Sequence, residues 1–454
     1  MEKGTTVGSK KIVELFDAGT FVETGAYVKR ADGELTGVVC GYGAIGGKLV
    51  YAFAQDSDRK KGAFDALQAE KITALYSMAM KNGAPVIGLF DSAGAVVCDG
   101  ASAMSAYGKV LRVVSEASGV IPQIALIQGV CSGLGATVAA MFDLVITVKD
   151  QSQWFVNAPF LVGKEIGNAE YAATKGLSSI LAESEDEAYA TVGRLVALLP
   201  SNNAEGVVAE DIMDDVNRLV AVEGLAGKEL VEVLADAGVF VEIGAGYAPE
   251  MLTGIASFGG VTCGVVANDS NTNKGVITTE GAKKAAKLIS FCDSFSIPVI
   301  TLTDSVGVEI SAEAEGAPLA AQLGKLAMAY ASADTAKVTV VTGKAYGAAF
   351  TLMGSKALGA DMVYALPTAE ISVMDPASAV AFLWNDKITQ DTTRADLEAE
   401  WKTSQASPEA AAADGSIDDV INAAELRQRI CAAVYMLMAK SVGTPARKHC
   451  NLPL

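Results

Sequence analysis

Two kinds of segment alternate along the chain. Uninterrupted apolar or β-branched runs, such as Pro85 to Phe90 and Val338 to Thr342, are typical of strands that helices cover on both faces. Between such runs lie longer segments with apolar positions at helical spacing, such as Ala63 to Lys81, which predict helices. The alternation of strand and helix predicts an α/β fold with a mainly parallel sheet.

The same pattern occurs twice. The segment DAGTFVETGA at 17–26 recurs as DAGVFVEIGA at 236–245. A buried strand then leads into Asp-Ser-x-Gly, first at 91–94 and again at 304–307, and a third strand enters a small-residue turn at 129–133 and 343–347. Because three blocks recur in the same order, we expect two tandem domains of one fold. The polar and acidic stretch after Leu199 predicts a boundary between residues 1–205 and 206–454.

Charge and residue usage exclude several functions. The chain has 454 residues, 35 Lys and Arg against 53 Asp and Glu, and a net charge of −18, a field that repels nucleic acid. Its single histidine, His449, lies in a polar tail, which argues against a Ser-His-Asp triad, a histidine base or a His-ligated metal. The seven cysteines are scattered without a CxxC pair, so we expect no metal site.

The cysteine usage and the absence of an apolar signal core at the N-terminus predict a cytoplasmic protein. The stretch Ala117 to Phe142 carries no charge and is long enough to span a bilayer. Pro122 and four glycines interrupt it, so we expect a buried strand, turn and helix instead.

The repeated glycine turns are the main candidates for chemistry. In each half a strand runs through small residues into an alanine-rich helix, whose first amides lack intrahelical partners. Two such amides can form an oxyanion hole, and small residues at Gly133 and Gly135, or at Gly347 and Ala348, would let a carbonyl oxygen approach. Glycine at such a turn also serves ordinary packing and positive φ, but its recurrence in both halves favours function. The Asp-Ser-x-Gly turns are equally compatible with helix capping.

At these residues the sequence resembles the biotin-dependent acyl-CoA carboxyltransferases. That family includes the carboxyltransferase subunits of acetyl- and propionyl-CoA carboxylases and of sodium-pumping methylmalonyl-CoA and glutaconyl-CoA decarboxylases. The segments that carry the resemblance are Leu15 to Gly25, Gly83 to Asp91, Ser118 to Ile124, Leu199 to Asn203, Ala345 to Gly347, Pro367 to Met374 and Lys448 to Leu454. The resemblance implies two tandem crotonase-like domains, an acyl-CoA site in residues 1–205 and a biotin site in residues 206–454.

The resemblance also implies residue roles. The amides of Gly133 and Leu134, or of Leu134 and Gly135 if the hole is shifted by one residue, would stabilise a thioester enolate. The amides of Gly347 and Ala348 would stabilise the ureido oxygen of biotin. Carboxybiotin would lose CO2, its ureido nitrogen would remove the α-proton, and the enolate would attack CO2. Further residues that the resemblance implies are, for substrate binding, Ser92, Ala93, Gly94, Gly135, Tyr346 and Thr351, and, for the biotin-side loop, Asp304, Ser305 and Gly307.

The partners that the resemblance implies are an acyl-CoA, biotin on a separate carrier protein, and either a biotin carboxylase or a membrane decarboxylase subunit. We expect a homo-oligomer of two to six subunits in which the first half of one subunit meets the second half of another. The alanine-rich segments Leu319 to Ala331 and Ile430 to Ala439 fit either such an interface or burial within one chain.

Departures from the family pattern keep two alternatives open. Leu134 stands where the family has glycine, Val96 where it has arginine, Thr351 where an acidic residue is common, and the Asp304 turn lacks the usual proline and phenylalanine. The alternatives are the decarboxylase subunit of a sodium pump and a catalytically impaired scaffold homologue.

Overall fold

The computed structural model describes residues 6–30, 33–207, 214–443, 451 and 453. His449 lies outside the described residues, as does nearly all of the segment from Lys448 to Leu454. The chain divides into two compact units, Met1–Gly206 and Val207–Leu454. The division falls one residue after the boundary that the sequence suggested.

The first unit is a mainly parallel sheet with helices packed against it. Its strands are β1 Val22–Thr24, β2 Val38–Ile45, β3 Lys48–Gln55, β4 Val86–Ser92, β5 Gln123–Ser132, β6 Leu144–Val148, β7 Gln153–Phe155 and β8 Ile180–Ala182. Its helices are α1 Val7–Leu15, α2 Ala66–Asn82, α3 Ala101–Ala117, α4 Leu134–Ala140, α5 Pro159–Val162, α6 Ala169–Thr174 and α7 Glu185–Leu198, with 3-10 turns at Lys60–Gly62 and Val97–Asp99. The sheet order is β1-β2-β3-β4-β5-β6-β8, and β7 pairs with the end of β5.

The second unit repeats this plan. Its strands are β9 Phe240–Glu242, β10 Met251–Phe258, β11 Val261–Asn268, β12 Val299–Ser305, β13 Lys337–Tyr346, β14 Met362–Ala365, β15 Glu370–Ser372 and β16 Asp419–Val420. Its helices are α8 Gly227–Leu234, α9 Thr279–Ser294, α10 Ala312–Gly316, α11 Leu319–Ser332, α12 Ala348–Leu352, α13 Pro376–Leu383, α14 Arg394–Ser404, α15 Pro408–Ala413 and α16 Leu426–Leu437, with 3-10 turns at Asn273–Gly275, Lys356–Leu358, Asn385–Lys387 and Ala423–Glu425.

The two sheets share one topology, which confirms the predicted duplication and the α/β class. The second sheet runs β9-β10-β11-β12-β13-β14-β16, with β15 on the end of β13. In each unit the first three strands of the sheet form two antiparallel pairs, and the remaining strand pairs are parallel. The middle strands β4 and β12 are buried almost throughout, as their apolar sequence predicted.

The uncharged stretch from Ala117 to Phe142 is a core unit, as expected. It forms strand β5 and helix α4, and Ile124, Leu126 and Ile127 are fully buried in the first unit. In residues 6–30, 33–207 and 214–443 no helix is long and apolar enough to cross a membrane.

The repeated DAG motif braces the opening hairpin of each unit. The Asp17 carboxylate accepts the amides of Gly46–Gly47 at the β2–β3 turn, at 3.1 and 2.9 Å. In the second unit the Asp236 carboxylate accepts the amides of Gly259–Gly260 at 3.0 and 2.8 Å. The most visible repeat in the sequence is therefore structural.

Arg427 is the buried cation that ties α16 to this brace. Its side chain is 0% exposed, and its guanidinium donates to the Asp236 carboxylate at 2.6 Å and to the Leu234 carbonyl at 2.6 Å. Burial opposes ionisation of Asp236, but hydrogen bonds from Ser257, Arg427 and the turn amides hold its pKa below the usual value.

Replacing Arg427 with Leu leaves the Asp236 carboxylate buried without its cation, which typically costs about 3–5 kcal/mol. We expect a lower midpoint of urea unfolding, measured by circular dichroism. Because the Asp236 pKa is lowered on folding, its contribution is present above the pKa of the unfolded carboxyl and is lost as the pH falls through the folded value. The difference between wild type and variant should therefore shrink in acid.

Arg429→Leu is the matched control on the same helix. Arg429 is half-exposed, and its ion pairs with Asp419 and Glu425 are 3.6 and 3.9 Å long at the surface. We expect a cost below about 1 kcal/mol for it. Equal losses in the two variants would contradict the anchoring role of Arg427.

Candidate active site

The same glycine conformation starts the helix after the long strand in each unit. Gly133, between β5 and α4, has φ +59° and ψ −127°, and Gly347, between β13 and α12, has φ +54° and ψ −130°. Residues with a Cβ rarely adopt such angles, so both positions require glycine for the path of the backbone. The two turns are therefore copies of one backbone arrangement.

The amides of these two glycines are already used. The Gly133 N–H donates to the Phe155 carbonyl at 3.0 Å, and the Gly347 N–H donates to the Ser372 carbonyl at 2.9 Å. In this structure strands β7 and β15 therefore occupy the two glycine amides that the sequence predicts as hole donors.

The next amide in each unit is available. The N–H groups of Leu134 and Ala348 have no acceptor among the residues that the structure describes, and the same holds for Gly135 and Ala349. Leu134 is 37% exposed and Ala348 is also exposed, so both amides lie where a ligand can reach them. The candidate donors begin one residue after each glycine.

Sequence reasoning missed a second free amide in each unit. In the loop after β4, the Phe64 N–H donates to the Gly94 carbonyl at 2.8 Å and the Val96 N–H to the Phe64 carbonyl at 2.9 Å. Ala95, between them, has its N–H turned away from Phe64 and without an acceptor in the described part of the chain. The repeated Asp-Ser-x-Gly motif was the signal in the sequence that could have pointed to this amide, because Ala95 is the residue that follows it.

The second unit repeats this loop. The Ile277 N–H donates to the Gly307 carbonyl at 2.9 Å and the Glu309 N–H to the Ile277 carbonyl at 3.0 Å. Val308 therefore corresponds to Ala95, and no described residue accepts its N–H.

Within each unit the loop lies beside the glycine turn. Ser92 is the register partner of Cys131, and a Cβ on Gly94 would lie 3.1 Å from the Ser132 Oγ. In the second unit a Cβ on Gly307 would lie 3.8 Å from the Tyr346 carbonyl oxygen. Two free amides on adjoining segments are the arrangement of an oxyanion hole.

In each unit an aspartate at the end of the middle strand accepts a backbone N–H of the long strand. Strands β4 and β12 each shift register next to this aspartate. The Asp91 carboxylate accepts the Val130 amide at 3.2 Å, and the Asp304 carboxylate accepts the Lys344 amide at 2.8 Å. A Cβ at Gly129 or Gly343 would overlap these carboxylates. Asp304 thus positions the strand, which differs from its expected place in a ligand-contacting loop.

The serines of the loops hold local turns. The Ser92 Oγ accepts the Gly94 N–H at 3.2 Å, and the Ser305 Oγ accepts the Gly307 N–H at 3.2 Å. The Ala93 N–H donates to the Lys61 carbonyl at 3.0 Å. The expected substrate-binding residues Ser92, Ala93 and Gly94 therefore lie at the site, but their amides and the serine hydroxyl shape the loop.

A cavity of about 790 Å³ opens at the glycine turn of the second unit. Gly347, Ala348 and Thr351 line it together with Val373 and Trp401. The structure thus brings Thr351 to the free amide of Ala348, on a wall that is mainly apolar.

Tyr346 does not offer its hydroxyl to this cavity. The hydroxyl donates to the Glu370 carboxylate, which Lys402 also contacts at 3.1 Å. Burial and then Glu370 raise the pKa of the Tyr346 phenol, so it stays protonated and bound to that carboxylate. Tyr346 is not among the residues that line this cavity, and its hydroxyl is engaged by Glu370.

A second cavity, of about 430 Å³, lies in the first unit. Helix α1 supplies Ser9, Lys10, Val13 and Glu14 to its lining, which contains none of the expected acyl-site residues. In the described part of the chain no group of three or more His, Cys, Asp or Glu side chains could hold a metal ion.

Comparisons with known proteins identify relatives along the whole chain. The chain is 35% identical to the propionyl-CoA carboxylase beta chain of Roseobacter denitrificans and 34% identical to the methylmalonyl-CoA decarboxylase subunit alpha of Veillonella parvula, each over 100% of this chain and 94% of the relative. A crystal structure of transcarboxylase 12S, a hexamer with methylmalonyl-coenzyme A and methylmalonic acid bound, superimposes with a TM-score of 0.93 at 32% identity, covering 100% of this chain and 94% of that one.

These matches confirm the expected fold of two tandem crotonase-like domains. They also confirm the resemblance drawn from the sequence. The family described as carboxyl transferase domain matches residues 1–452. The chain belongs to the carboxyl transferase family.

Proposed function

We propose that this chain is the carboxyltransferase subunit that moves a carboxyl group between carboxybiotin on a carrier protein and the α-carbon of a small acyl-CoA. The observation that carries the proposal is a pair of amides beside a glycine turn, present once in each unit. These amides have no acceptor among the residues that the structure describes. Carboxyl transfer creates negative charge on two oxygens, one on the thioester and one on the biotin ring, so it needs two such sites.

The first unit takes the thioester. The Ala95 and Leu134 amides donate to its oxygen as the enolate forms, while Ser92, Ala93 and Gly94 hold the loop that carries Ala95. Gly135, the next residue of α4, is buried, and a Cβ there would face the Tyr107 hydroxyl at 3.7 Å. A single donor of this kind typically contributes about 2.7–4 kcal/mol to transition-state stabilisation.

The second unit takes the biotin group. The Val308 and Ala348 amides donate to the ureido oxygen, and the loop of Asp304, Ser305 and Gly307 fixes the position of Val308. The cavity of about 790 Å³ has room for a bicyclic ring, and its apolar wall suits one. Carboxybiotin supplies both the carboxyl group and, after its release, the base that takes the α-proton.

Known relatives narrow the substrate and partners. Their names point to propionyl-CoA and methylmalonyl-CoA, so we propose a small acyl-CoA, acetyl- or propionyl-CoA, that becomes malonyl- or methylmalonyl-CoA. We propose biotin on a separate carrier protein and a biotin carboxylase as partners, in the cytoplasm. The Veillonella relative favours a second candidate, the decarboxylase subunit of a sodium pump, peripheral to a membrane complex. Neighbouring genes discriminate the two: a biotin carboxylase indicates the first, and a polytopic membrane subunit the second.

Exposed apolar side chains around the turns support a homo-oligomer. Val97, Val156 and Phe160 are exposed near the first turn, and Ile310 and Val373 near the second. Patches of this kind mark interaction surfaces. We propose that the acyl unit of one subunit faces the biotin unit of another, in keeping with the hexamer formed by transcarboxylase 12S.

The test of the function is turnover of the purified chain. Incubation with malonyl-CoA or methylmalonyl-CoA and free biotin should release CO2 slowly. Absence of turnover with every short acyl-CoA, despite binding of acyl-CoA by calorimetry, would leave the scaffold homologue as the better account.

Replacing either turn glycine with alanine should abolish most activity. A Cβ at Gly133 or Gly347 forces the backbone out of its present conformation and displaces the amide of Leu134 or Ala348. We expect kcat for decarboxylation to fall about 10²- to 10³-fold in each variant, the usual effect of losing one oxyanion donor.

Gly100→Ala is the matched control. Gly100 has the same conformation, with φ +54° and ψ −131°, at the start of α3. It should lose a comparable amount of stability, about 1–3 kcal/mol, while keeping its activity. If Gly100→Ala were as inactive as Gly133→Ala, strain rather than the hole would explain the loss.

Complementation tests the shared sites. Subunits with Gly133→Val and subunits with Gly347→Val should each be inactive, and mixing them after dissociation should restore partial activity, because some interfaces then pair two intact units. A fully active monomer in light scattering at micromolar concentration would rule the shared site out.

A further inference from the structure

One buried hydroxyl next to the acyl site has no partner. Tyr107, on α3, is 2% exposed, and its hydroxyl oxygen has no hydrogen-bond partner among the residues that the structure describes. Leaving such a group unpaired costs free energy, so native proteins keep it for a reason. The site already described does not use it.

Tyr107 touches both segments that carry the free amides. Its ring stacks on Phe64, with 4.2 Å between centroids, and the Phe64 backbone holds the Ala95 loop through its pairs with Gly94 and Val96. On the other side, a Cβ on Gly135 would lie 3.7 Å from the Tyr107 hydroxyl oxygen. The hydroxyl therefore points at the junction of loop and helix.

The Ser92 hydroxyl is the group that can accept a hydrogen bond from the Tyr107 hydroxyl. The Ser92 hydroxyl accepts the Gly94 N–H at 3.2 Å, and the Gly94 carbonyl accepts the N–H of Phe64, on whose ring Tyr107 stacks. Burial and the nearby Cys131 thiol raise the pKa of the Tyr107 phenol, and the Ser92 side chain lowers it. A serine hydroxyl oxygen can accept two hydrogen bonds, and the Gly94 N–H occupies one of these two positions on the Ser92 Oγ. Contacts at catalytic sites are often long without substrate and shorten when it binds.

The second unit repeats the arrangement. Helix α3 ends where the Ser118 N–H donates to the Val114 carbonyl, and Tyr107 lies seven residues before Val114. Seven residues before the corresponding Ala329 of α11 is Gln322, which is 5% exposed and whose side-chain oxygen also has no partner among the described residues. A buried polar group without a partner at one helix position in both copies indicates a shared requirement.

We propose that Tyr107 is a positioning residue of the acyl site, which on substrate binding donates to the Ser92 hydroxyl and thereby fixes the Ala95 amide at its working distance from the Leu134 amide. This inference rests on the proposed carboxyl transfer. Tyr107 does not touch the thioester, so its effect is on the transition state and not on CoA affinity.

The test is Tyr107→Phe in the full-length protein, assayed by decarboxylation of methylmalonyl-CoA with free biotin. The ring and its stacking on Phe64 remain. We expect kcat to fall about tenfold with KM changed by less than about twofold, since small displacements of a hole donor are costly. The thermal midpoint should stay the same or rise, because an unpaired hydroxyl is removed.

Tyr76→Phe is the control. Tyr76 is as buried as Tyr107, but its hydroxyl donates to the Gln123 side-chain oxygen at 2.8 Å. We expect the opposite result, a midpoint about 2–4 °C lower with kcat unchanged, because Gln123 loses its partner.

A double variant tests the route through Ser92. If Tyr107 acts through that hydroxyl, Tyr107→Phe added to Ser92→Ala should slow the enzyme no further. A kcat within about twofold of wild type for Tyr107→Phe, a loss that tracks a lower thermal midpoint, or a fully multiplicative double variant would each overturn the proposal. A wild-type protein without turnover would instead defeat the proposed function, and this inference with it.

Discussion

The turn from the long strand into the next helix is the constraint on which the rest depends. At Gly133 and Gly347 the backbone takes a conformation that is closed to side chains. It lets the glycine amide pair with the short strand beside it and leaves the following amide without an acceptor among the described residues. The glycine is therefore needed for the direction of the backbone, and in the proposed reaction the donor is the amide of the residue after it. This explains why Leu134 can replace the family's second glycine, because only its amide is used.

The other parts of each unit hold this turn in place. The aspartate at the register shift accepts an amide of the long strand, which can approach because Gly129 and Gly343 have no Cβ. The loop after the middle strand is fixed by backbone pairs with Phe64 or Ile277, and these pairs leave Ala95 or Val308 free. Each hole is thus built from backbone groups whose positions depend on sheet register, and no side chain needs to supply charge.

A site made of amides suits a protein with one histidine in a polar tail. In the proposed reaction the carboxyl group and the base both come from carboxybiotin on a carrier protein, so this chain would have only to hold two oxygens as charge develops on them. Departures from the family pattern near the two holes, such as Val96 and Thr351, change the side chains around the holes and leave the backbone amides of the holes in place. The second unit also carries helices α13 and α14, whose Leu383 and Trp401 line its cavity.

The sequence by itself determined the α/β class, the duplication, the family and the two glycine turns, because apolar strands, repeated motifs and positive-φ glycines leave direct traces in residue order. It could not decide which amides are free. The sequence points to the Gly133 and Gly347 amides as donors, although β7 and β15 occupy these amides, and it does not point to the amides of Ala95 and Val308. Tyr346 and Asp304 carry groups that suit a ligand, but Glu370 and the Lys344 amide engage them. Only the tertiary structure decides this, since whether a polar group is available depends on neighbours that are distant along the chain.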